Sequence, residues 1–443
     1  MRLKNEIKAT LKLAIPIMGA QFLSIVMVVT DNIMVGRLGR EALGGLALAG
    51  SFYSFIVIII VGLMGALSAL VSREDGAGRH ERAGRYLRQA LFLSVFVTAV
   101  LATGLVFAEE FLLAIGQLPE TSAIATEYLH AMIWTVPAQL AFLSIRNFCE
   151  GTGDSVPSVI IAAVIAVLNV PLDYALIFGY GPFPAMGVEG AAYATASLTW
   201  LSLFALTIYV ATHTRYTKYR LFDWPPRPDA RMLKDIVWLG VPFGGAVATE
   251  MGFFGTTTFL MGRLGEVELA AHQVALNSAA LVFMIPLGLS FAVSIRIGQQ
   301  LGAGSREGAR DAWLSSLVIV GIVQTVMAAV FLTFPATIVS LYGQDGQVES
   351  LAVELLMIAG FFQLFDGFQV VGMGALRGLR EAKFALWATS IAFWVIGAAT
   401  VAWAYVNQWA PGIWFGLLTG LAIASLAHHT RAWFVLRPQN VLS

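Results

Sequence analysis

The sequence predicts an all-α polytopic membrane protein. Twelve transmembrane helices are expected in two parallel six-helix repeats, related by a pseudo-twofold axis along the membrane normal. Three observations carry this expectation. The first is composition: of 443 residues, 58% are hydrophobic and only 12% charged, where a soluble domain carries about 25% charge. There is too little polar material to cover a water-facing surface. The second is the length of the apolar runs, about 20 residues or more, enough to cross a bilayer core of about 30 Å as helices. The runs lack the period-2 alternation of an outer-membrane barrel, and helices satisfy their own backbone groups in lipid. The third is an internal duplication. At an offset of 226, Pro16 falls on Pro242, Gly19-Ala20 on Gly245-Ala246, Gly36-Arg37-Leu38-Gly39 on Gly262-Arg263-Leu264-Gly265, Leu43 on Leu269, Ser68 on Ser294, and Gly76-Ala77-Gly78 on Gly302-Ala303-Gly304. Later the offset becomes 227, where Gly151 meets Gly378. A duplicated apolar half marks a transporter whose pathway lies between repeats.

Taken in order, the expected spans are 11–35, 44–71, 88–108, 126–149, 157–178 and 188–211 in the first half, and 236–260, 268–296, 312–335, 350–374, 384–405 and 411–436 in the second. The first follows Arg2, Lys4, Lys8 and Lys12, as a signal peptide would, but no convincing small-residue cleavage site follows it. It reads as a retained helix. The halves part at the longest polar stretch, His213 to Asp235, which contains the helix stop Asp223-Trp224-Pro225-Pro226. This gives an N-lobe at 1–212, a linker at 213–235 and a C-lobe at 236–443. Pro16 and Pro242 hold equivalent places early in spans 1 and 7. Each removes a backbone hydrogen bond and can make a hinge.

With the N-terminus inside, 24 of the 27 Lys and Arg residues fall in inside segments, Arg377 and Arg380 among them. Only Arg37, Arg40 and Arg263 fall outside. One missed span would swap every later loop, so this split supports the span count and places both termini in the cytoplasm. Six spans per half is even, which makes the repeats parallel. A net charge of zero argues against nucleic acid as a partner. A single cysteine, Cys149, excludes an intrachain disulfide and a Cys-based metal cluster, and reads as a small buried residue. Scattered histidines give no zinc ligand set, and no phosphate-binding GxxxxGK[ST] loop is present. No cofactor and no obligate protein partner is expected.

Carboxylates at mid-membrane are costly and need a reason. Four stand out: Asp31 in span 1, Asp173 in span 5, Glu250 in span 7 and Asp366 in span 10. Asn169 and Asp173 are spaced i, i+4 and share one helix face. Span 6 adds Thr195 and Ser197. Glu250 and Asp366 lie deep, with no Lys or Arg mid-span to pair with either, which invites a cation or a proton. His130, His272 with Gln273, and Phe362 are weaker candidates for lining the cavity. Glu189 and Glu354 sit near span ends and read as interfacial. His428 and His429, towards the inner end of span 12, receive no role.

The chain resembles the MATE family of multidrug and toxic-compound extrusion transporters, in particular its NorM-like bacterial members. The resemblance covers essentially the whole chain. It is carried by Thr30-Asp31-Asn32, Val35-Gly36-Arg37-Leu38-Gly39, Leu168-Asn169-Val170-Pro171-Leu172-Asp173, Gly190-Ala191-Ala192-Tyr193-Ala194-Thr195, Glu250, and Asp366 followed by Ala375-Leu376-Arg377-Gly378. It implies antiport of organic cations against Na⁺ or H⁺. It places a protonation or ion site at Asp31, Asn169, Asp173 and Thr195, and a second cation site at Glu250 and Asp366. In some NorM-like proteins a tyrosine one turn before the span-10 acid helps hold the cation. Phe362 stands there in this chain and offers no oxygen, which weakens Na⁺ in the second lobe.

The expected function is a multidrug efflux antiporter of the bacterial inner membrane, exporting cationic amphipathic compounds by alternating access. Acids in a low-dielectric cavity attract organic cations, and aromatic and Met side chains give adaptable contacts. A lipid-linked oligosaccharide flippase of similar architecture should carry mid-span Arg or Lys for pyrophosphate. A membrane-embedded enzyme would need a metal triad or a nucleophile–base pair, and neither is visible.

Overall fold

A computed structural model describes residues 2–223, 227–343 and 346–437. Trp224-Pro225-Pro226 of the expected helix stop lie outside the described residues. The first half builds α1 (Arg2–Gly36), α2 (Arg40–Gly76), α3 (His80–Val106), a short α4 (Ala108–Ala114), α5 (Pro119–Met132), α6 (Thr135–Gly151), α7 (Val156–Phe178), α8 (Gly187–Thr212) and a 3₁₀ segment Thr214–Tyr219. The second builds α9 (Ala230–Leu264), α10 (Glu266–Gly302), α11 (Arg306–Thr333), a short α12 (Pro335–Ser340), α13 (Gly346–Gly378), α14 (Ala382–Ile391), a π-helical turn Ala392–Gly397, α15 (Ala398–Val406) and α16 (Ala410–Leu436). Among the described residues eleven stretches, with Ala382–Val406 counted as one, are long and apolar enough to cross a membrane. The bent pair α5–α6 makes the twelfth.

The bend has a sequence cause. α5 and α6 meet at 48°, and the joint, Ile133-Trp134, lies four residues before Pro137. Pro137 has no N–H for the carbonyl of Ile133, and its ring crowds that carbonyl. The joint falls back on i→i−3 bonds, from Ile133 N–H to the His130 carbonyl and from Trp134 N–H to that of Ala131. At the repeat offset Pro137 becomes Leu364, and α13 runs on unbroken.

The chain forms two compact units, and their limits differ from a cut at the linker. Residues 19–240 make one, and residues up to Met18 together with those from Val241 onward make the other. The limits fall inside α1 and α9, beside Pro16 and Pro242. The first turns of each repeat's leading helix thus belong to the opposite unit. In the first unit a Cβ on Gly240 would come within 2.7 Å of the Leu63 backbone; in the second, one on Gly288 would come within 2.8 Å of the Met18 backbone. Gly62, which also faces Gly240, and Gly288 are related by the offset of 226.

In the first unit α2 packs on α5 and α6, and α7 on α8; in the second, α10, α13 and α16 form the centre. Between apolar helices in lipid, close approach of small residues supplies the packing. A Cβ on Gly151 would lie 3.0 Å from the Ser68 carbonyl oxygen, and one on Gly378 2.7 Å from that of Ser294. These duplicated residues therefore mark one helix contact built twice. Beside the second copy, Arg377 is fully buried rather than in a loop. It donates to Ser294 Oγ at 3.1 Å and to the Ser290 carbonyl at 3.2 Å. The Phe243 and Phe291 rings lie 4.4 and 4.3 Å from its guanidinium, adding cation–π contacts.

α1 starts nine residues before the expected span, because its polar first turns have partners. Arg296 holds Glu6 with two hydrogen bonds at 2.7 and 2.8 Å, and Thr10 Oγ1 lies 3.3 Å from Ser315 Oγ. The 3₁₀ segment is stapled to the first unit. Tyr219 donates to Asp75 at 2.6 Å and Tyr216 to Asp154 at 2.7 Å. Burial, and then the hydrogen bond to Asp75, raises the Tyr219 phenol above its ordinary pKa of 10.0.

Candidate ion and substrate sites

In the first unit, Asp31 near the end of α1 meets Asn169 and Asp173 on α7. The Asn169 side-chain nitrogen donates to Asp31 Oδ1 at 3.0 Å and to Asp173 Oδ2 at 2.7 Å. One amide thus bridges two carboxylates, as the i, i+4 spacing on α7 allows. Asn169 and Asp173 are buried, and Asp31 is half-buried. Two acceptors in this cluster, Asn169 Oδ1 and Asp173 Oδ1, have no hydrogen-bond partner among the described residues. A buried acceptor without a donor carries the full desolvation cost. Thr195, half-buried on α8, makes no side-chain hydrogen bond to any of the three. Tyr128 of α5, which the sequence reading passed over, lies within electrostatic reach of both acids.

In the second unit, Glu250 on α9 and Asp366 on α13 are electrostatic neighbours. Gln369 donates from Nε2 to Glu250 Oε2 at 3.1 Å. Asp366 is 4% exposed, and its side chain makes no hydrogen bond within the described residues. None of the four acids joins an ion pair among the described residues. Gln369 was not anticipated. Its signal was available, since an amide three residues after Asp366 shares its helix face. Gln324 is a further buried amide, donating to the Gln363 carbonyl at 2.7 Å. Gly367 admits it, because a Cβ there would collide with the Gln324 side chain.

Two residues expected to line the cavity pack among other side chains. His272 is fully buried. Its Nδ1 accepts from Trp414 Nε1 at 3.1 Å, and its Nε2 meets Thr258 Oγ1 at 2.9 Å, so both ring nitrogens serve helix packing. Phe362 is 2% exposed and packs edge-on against Phe254 and Trp414, with ring centroids 5.9 and 5.6 Å apart. Its missing oxygen is filled by aromatic core. Gln273 is half-buried, and His130 is exposed, with Nε2 3.4 Å from the Val106 carbonyl. His428 Nδ1 faces the Gln369 carbonyl at 3.3 Å, and His429 accepts from Trp313 Nε1 at 3.1 Å.

The MatE family model matches residues 16–175 and again 242–403. The two matches begin at Pro16 and Pro242, so the family unit is the repeat itself. The chain is 36% identical over 431 residues to a "Probable multidrug resistance protein NorM" of Pseudomonas putida, covering 96% of this chain and 93% of that protein. It is 32% identical over 442 residues to the "Multidrug resistance protein MdtK" of Pectobacterium atrosepticum, covering 98% and 96%. The crystal structure of the eukaryotic MATE transporter AtDTX14 superposes with a TM-score of 0.88 at 21% identity, covering 97% of this chain and 96% of the other. The fold is shared at that distance.

Proposed function

Since this chain belongs to the MatE family of membrane transporters, we propose that it is an efflux antiporter. It exports cationic, amphipathic organic compounds by alternating access and is driven by protons. Its place is the bacterial inner membrane, with both termini cytoplasmic, as the Lys and Arg distribution supports. Two relatives named for multidrug resistance support the substrate class.

The observation that carries the coupling is the Asp31–Asn169–Asp173 cluster with its two unpartnered acceptors. Two carboxylates tied to one amide do not both ionise cheaply, and an added proton supplies the donor the cluster lacks. Protonation then rewrites the bond between α7 and α1, and α1 moves about Pro16, where it passes from one compact unit to the other. Pro242 holds the same place in α9. Glu250 and Asp366 supply negative charge with no basic partner, which suits an organic cation. Phe362 removes an oxygen ligand that Na⁺ would use, whereas a carboxyl group needs nothing extra to take a proton.

Export by proteoliposomes under separately imposed gradients tests this. A pH gradient at equal Na⁺ should drive export, and a Na⁺ gradient at equal pH should not. Activity from Na⁺ alone would overturn the proton assignment. Export indifferent to both gradients would overturn antiport.

A further inference from the structure

Away from these acids, the first unit carries a cavity of about 680 Å³ where the start of α3 meets the start of α9. Arg85, Arg88, Arg227 and Arg231 line it, and Arg82 borders its continuation. The acids nearby are committed elsewhere. Asp229 caps α9 by accepting from the backbone N–H groups of Arg231 and Met232, at 3.0 and 3.3 Å. Asp235 accepts the Tyr86 hydroxyl at 2.6 Å. Asp223 lies 3.9 Å from Arg88, which also donates to the Arg220 and Asp223 carbonyls at 3.0 and 2.8 Å. Arg85, Arg227 and Arg231 are exposed and make no ion pair with any described residue. Four guanidiniums against two carboxylates, Asp223 and Asp229, leave the cavity lining with a positive excess, which suits a phosphate-type anion gripped by paired N–H groups.

The helix faces below the cavity say where that anion comes from. On α3, Arg85, Phe92 and Phe96 share a face at spacings of seven and four, and the two rings are 41% and 67% exposed. On α9, Arg231, Lys234 and Trp238 do the same. Trp238 is 52% exposed, with the Lys234 ammonium 5.4 Å from its ring centre. A tryptophan under a lysine is an interfacial anchor, and seven residues of helix put Arg231 about 10 Å beyond it, towards water. Both arginines therefore end apolar, lipid-facing stripes at headgroup depth. Asp229 already caps α9, so the site does not depend on that helix terminus.

We propose that this cavity binds the phosphodiester headgroup of an acidic phospholipid, its acyl chains lying along the exposed faces of α3 and α9. The site is separate from the transport acids and stands whether or not the coupling scheme holds.

The test uses the full chain in vesicles of equal parts phosphatidylglycerol and phosphatidylcholine, with retained lipid counted by native mass spectrometry. The wild type should keep phosphatidylglycerol preferentially. Each arginine near a membrane surface contributes roughly a fivefold factor in anionic-lipid binding. Arg85→Gln with Arg231→Gln should thus cut the preference about 25-fold, while the Lys versions of both keep most of it. Arg306→Gln, at an exposed arginine elsewhere, should leave it unchanged. An equal preference in wild type and the double Gln variant would overturn the site, as would an equal loss in Arg306→Gln, which would reflect general surface charge. Inorganic phosphate or glycerol phosphate should not displace the lipid. Displacement by either at concentrations comparable to a short-chain phosphatidylglycerol would overturn the lipid assignment in favour of a soluble anion.

Discussion

The first repeat places its acids on α1 and α7 and ties them through Asn169, whereas the second places its acids on α9 and α13 with, among the described residues, only Gln369 donating to one of them. At the repeat offset, Asp31 corresponds to Thr257 and Asp173 to Thr400, while Glu250 corresponds to Ser24 and Asp366 to Gln139. No acid has an acid for a counterpart. The helix contacts behaved differently, since Gly151 meets Ser68 as Gly378 meets Ser294. Packing between helices in lipid depends on small residues at fixed places, so duplication preserves it. A buried carboxylate costs stability in either repeat unless it works. We read the difference as a division of labour, with the first unit handling the proton and the second attracting the organic cation.

The strongest way to break that division is to neutralise each site separately. Asp173→Asn should abolish export driven by a pH gradient, by roughly a hundredfold, while drug binding to purified protein stays within a few-fold of wild type. Glu250→Gln and Asp366→Asn should instead weaken drug binding about tenfold or more, at unchanged membrane abundance. Equilibrium binding of a fluorescent organic cation, measured beside proteoliposome export, separates the two. The same pattern from both sites would erase the distinction drawn here.

A finer cut is Gln369→Leu. It removes the one side-chain hydrogen bond to Glu250 among the described residues and leaves both acids in place. A hydrogen bond to a charged group contributes about 1.5–3 kcal/mol. Drug affinity should therefore change by roughly tenfold or more, with pH-driven coupling per molecule exported intact. A Gln369→Leu protein that exports and binds as wild type would show that Glu250 needs no positioning.

The shared part of the repeats can be tested through stability. Gly378→Ala pushes a methyl group to 2.7 Å from the Ser294 carbonyl, and Gly151→Ala to 3.0 Å from that of Ser68. Overpacking costs about 1–3 kcal/mol. Both variants should lower Tm in detergent, Gly378→Ala by more. Unchanged Tm in both would mean that these helix contacts are looser than their geometry.

The sequence displayed the skeleton well and the chemistry unevenly. Twelve spans and the duplication were legible because lipid imposes length and apolarity on every helix. The joint at Ile133 was legible in principle from Pro137. The exchange of the first turns of α1 and α9 was not, since it depends on which neighbours Met18 and Gly240 meet. Asn169 and Asp173 were readable as a pair from i, i+4 spacing, whereas Asp31 as the acid they meet came only from the family resemblance. The packing partners of His272 and Phe362 were not readable, because polarity or position in a span says nothing of which face a residue occupies. In both cases Trp414 decided the matter from a helix more than fifty residues away in sequence.

The smallest expected effect concerns the 3₁₀ clamp of the first unit. Tyr219 is buried, and its phenol is raised above 10.0 by desolvation and then by the hydrogen bond to Asp75. A group with a raised folded-state pKa holds its proton more tightly when folded. Its contribution is complete below the unfolded value of 10.0 and declines as pH rises above it. Wild-type stability should thus carry no Tyr219 dependence from neutral pH to about 10, then fall at higher pH. Tyr219→Phe should lose about 1.5 kcal/mol at neutral pH, with the hydrogen bond to the Asp75 carboxylate, and show a shallower alkaline decline. Thermal melts of both proteins between pH 7 and 11 provide the check. Parallel alkaline slopes would assign the decline to other groups, Tyr216 first, because burial raises its phenol as well.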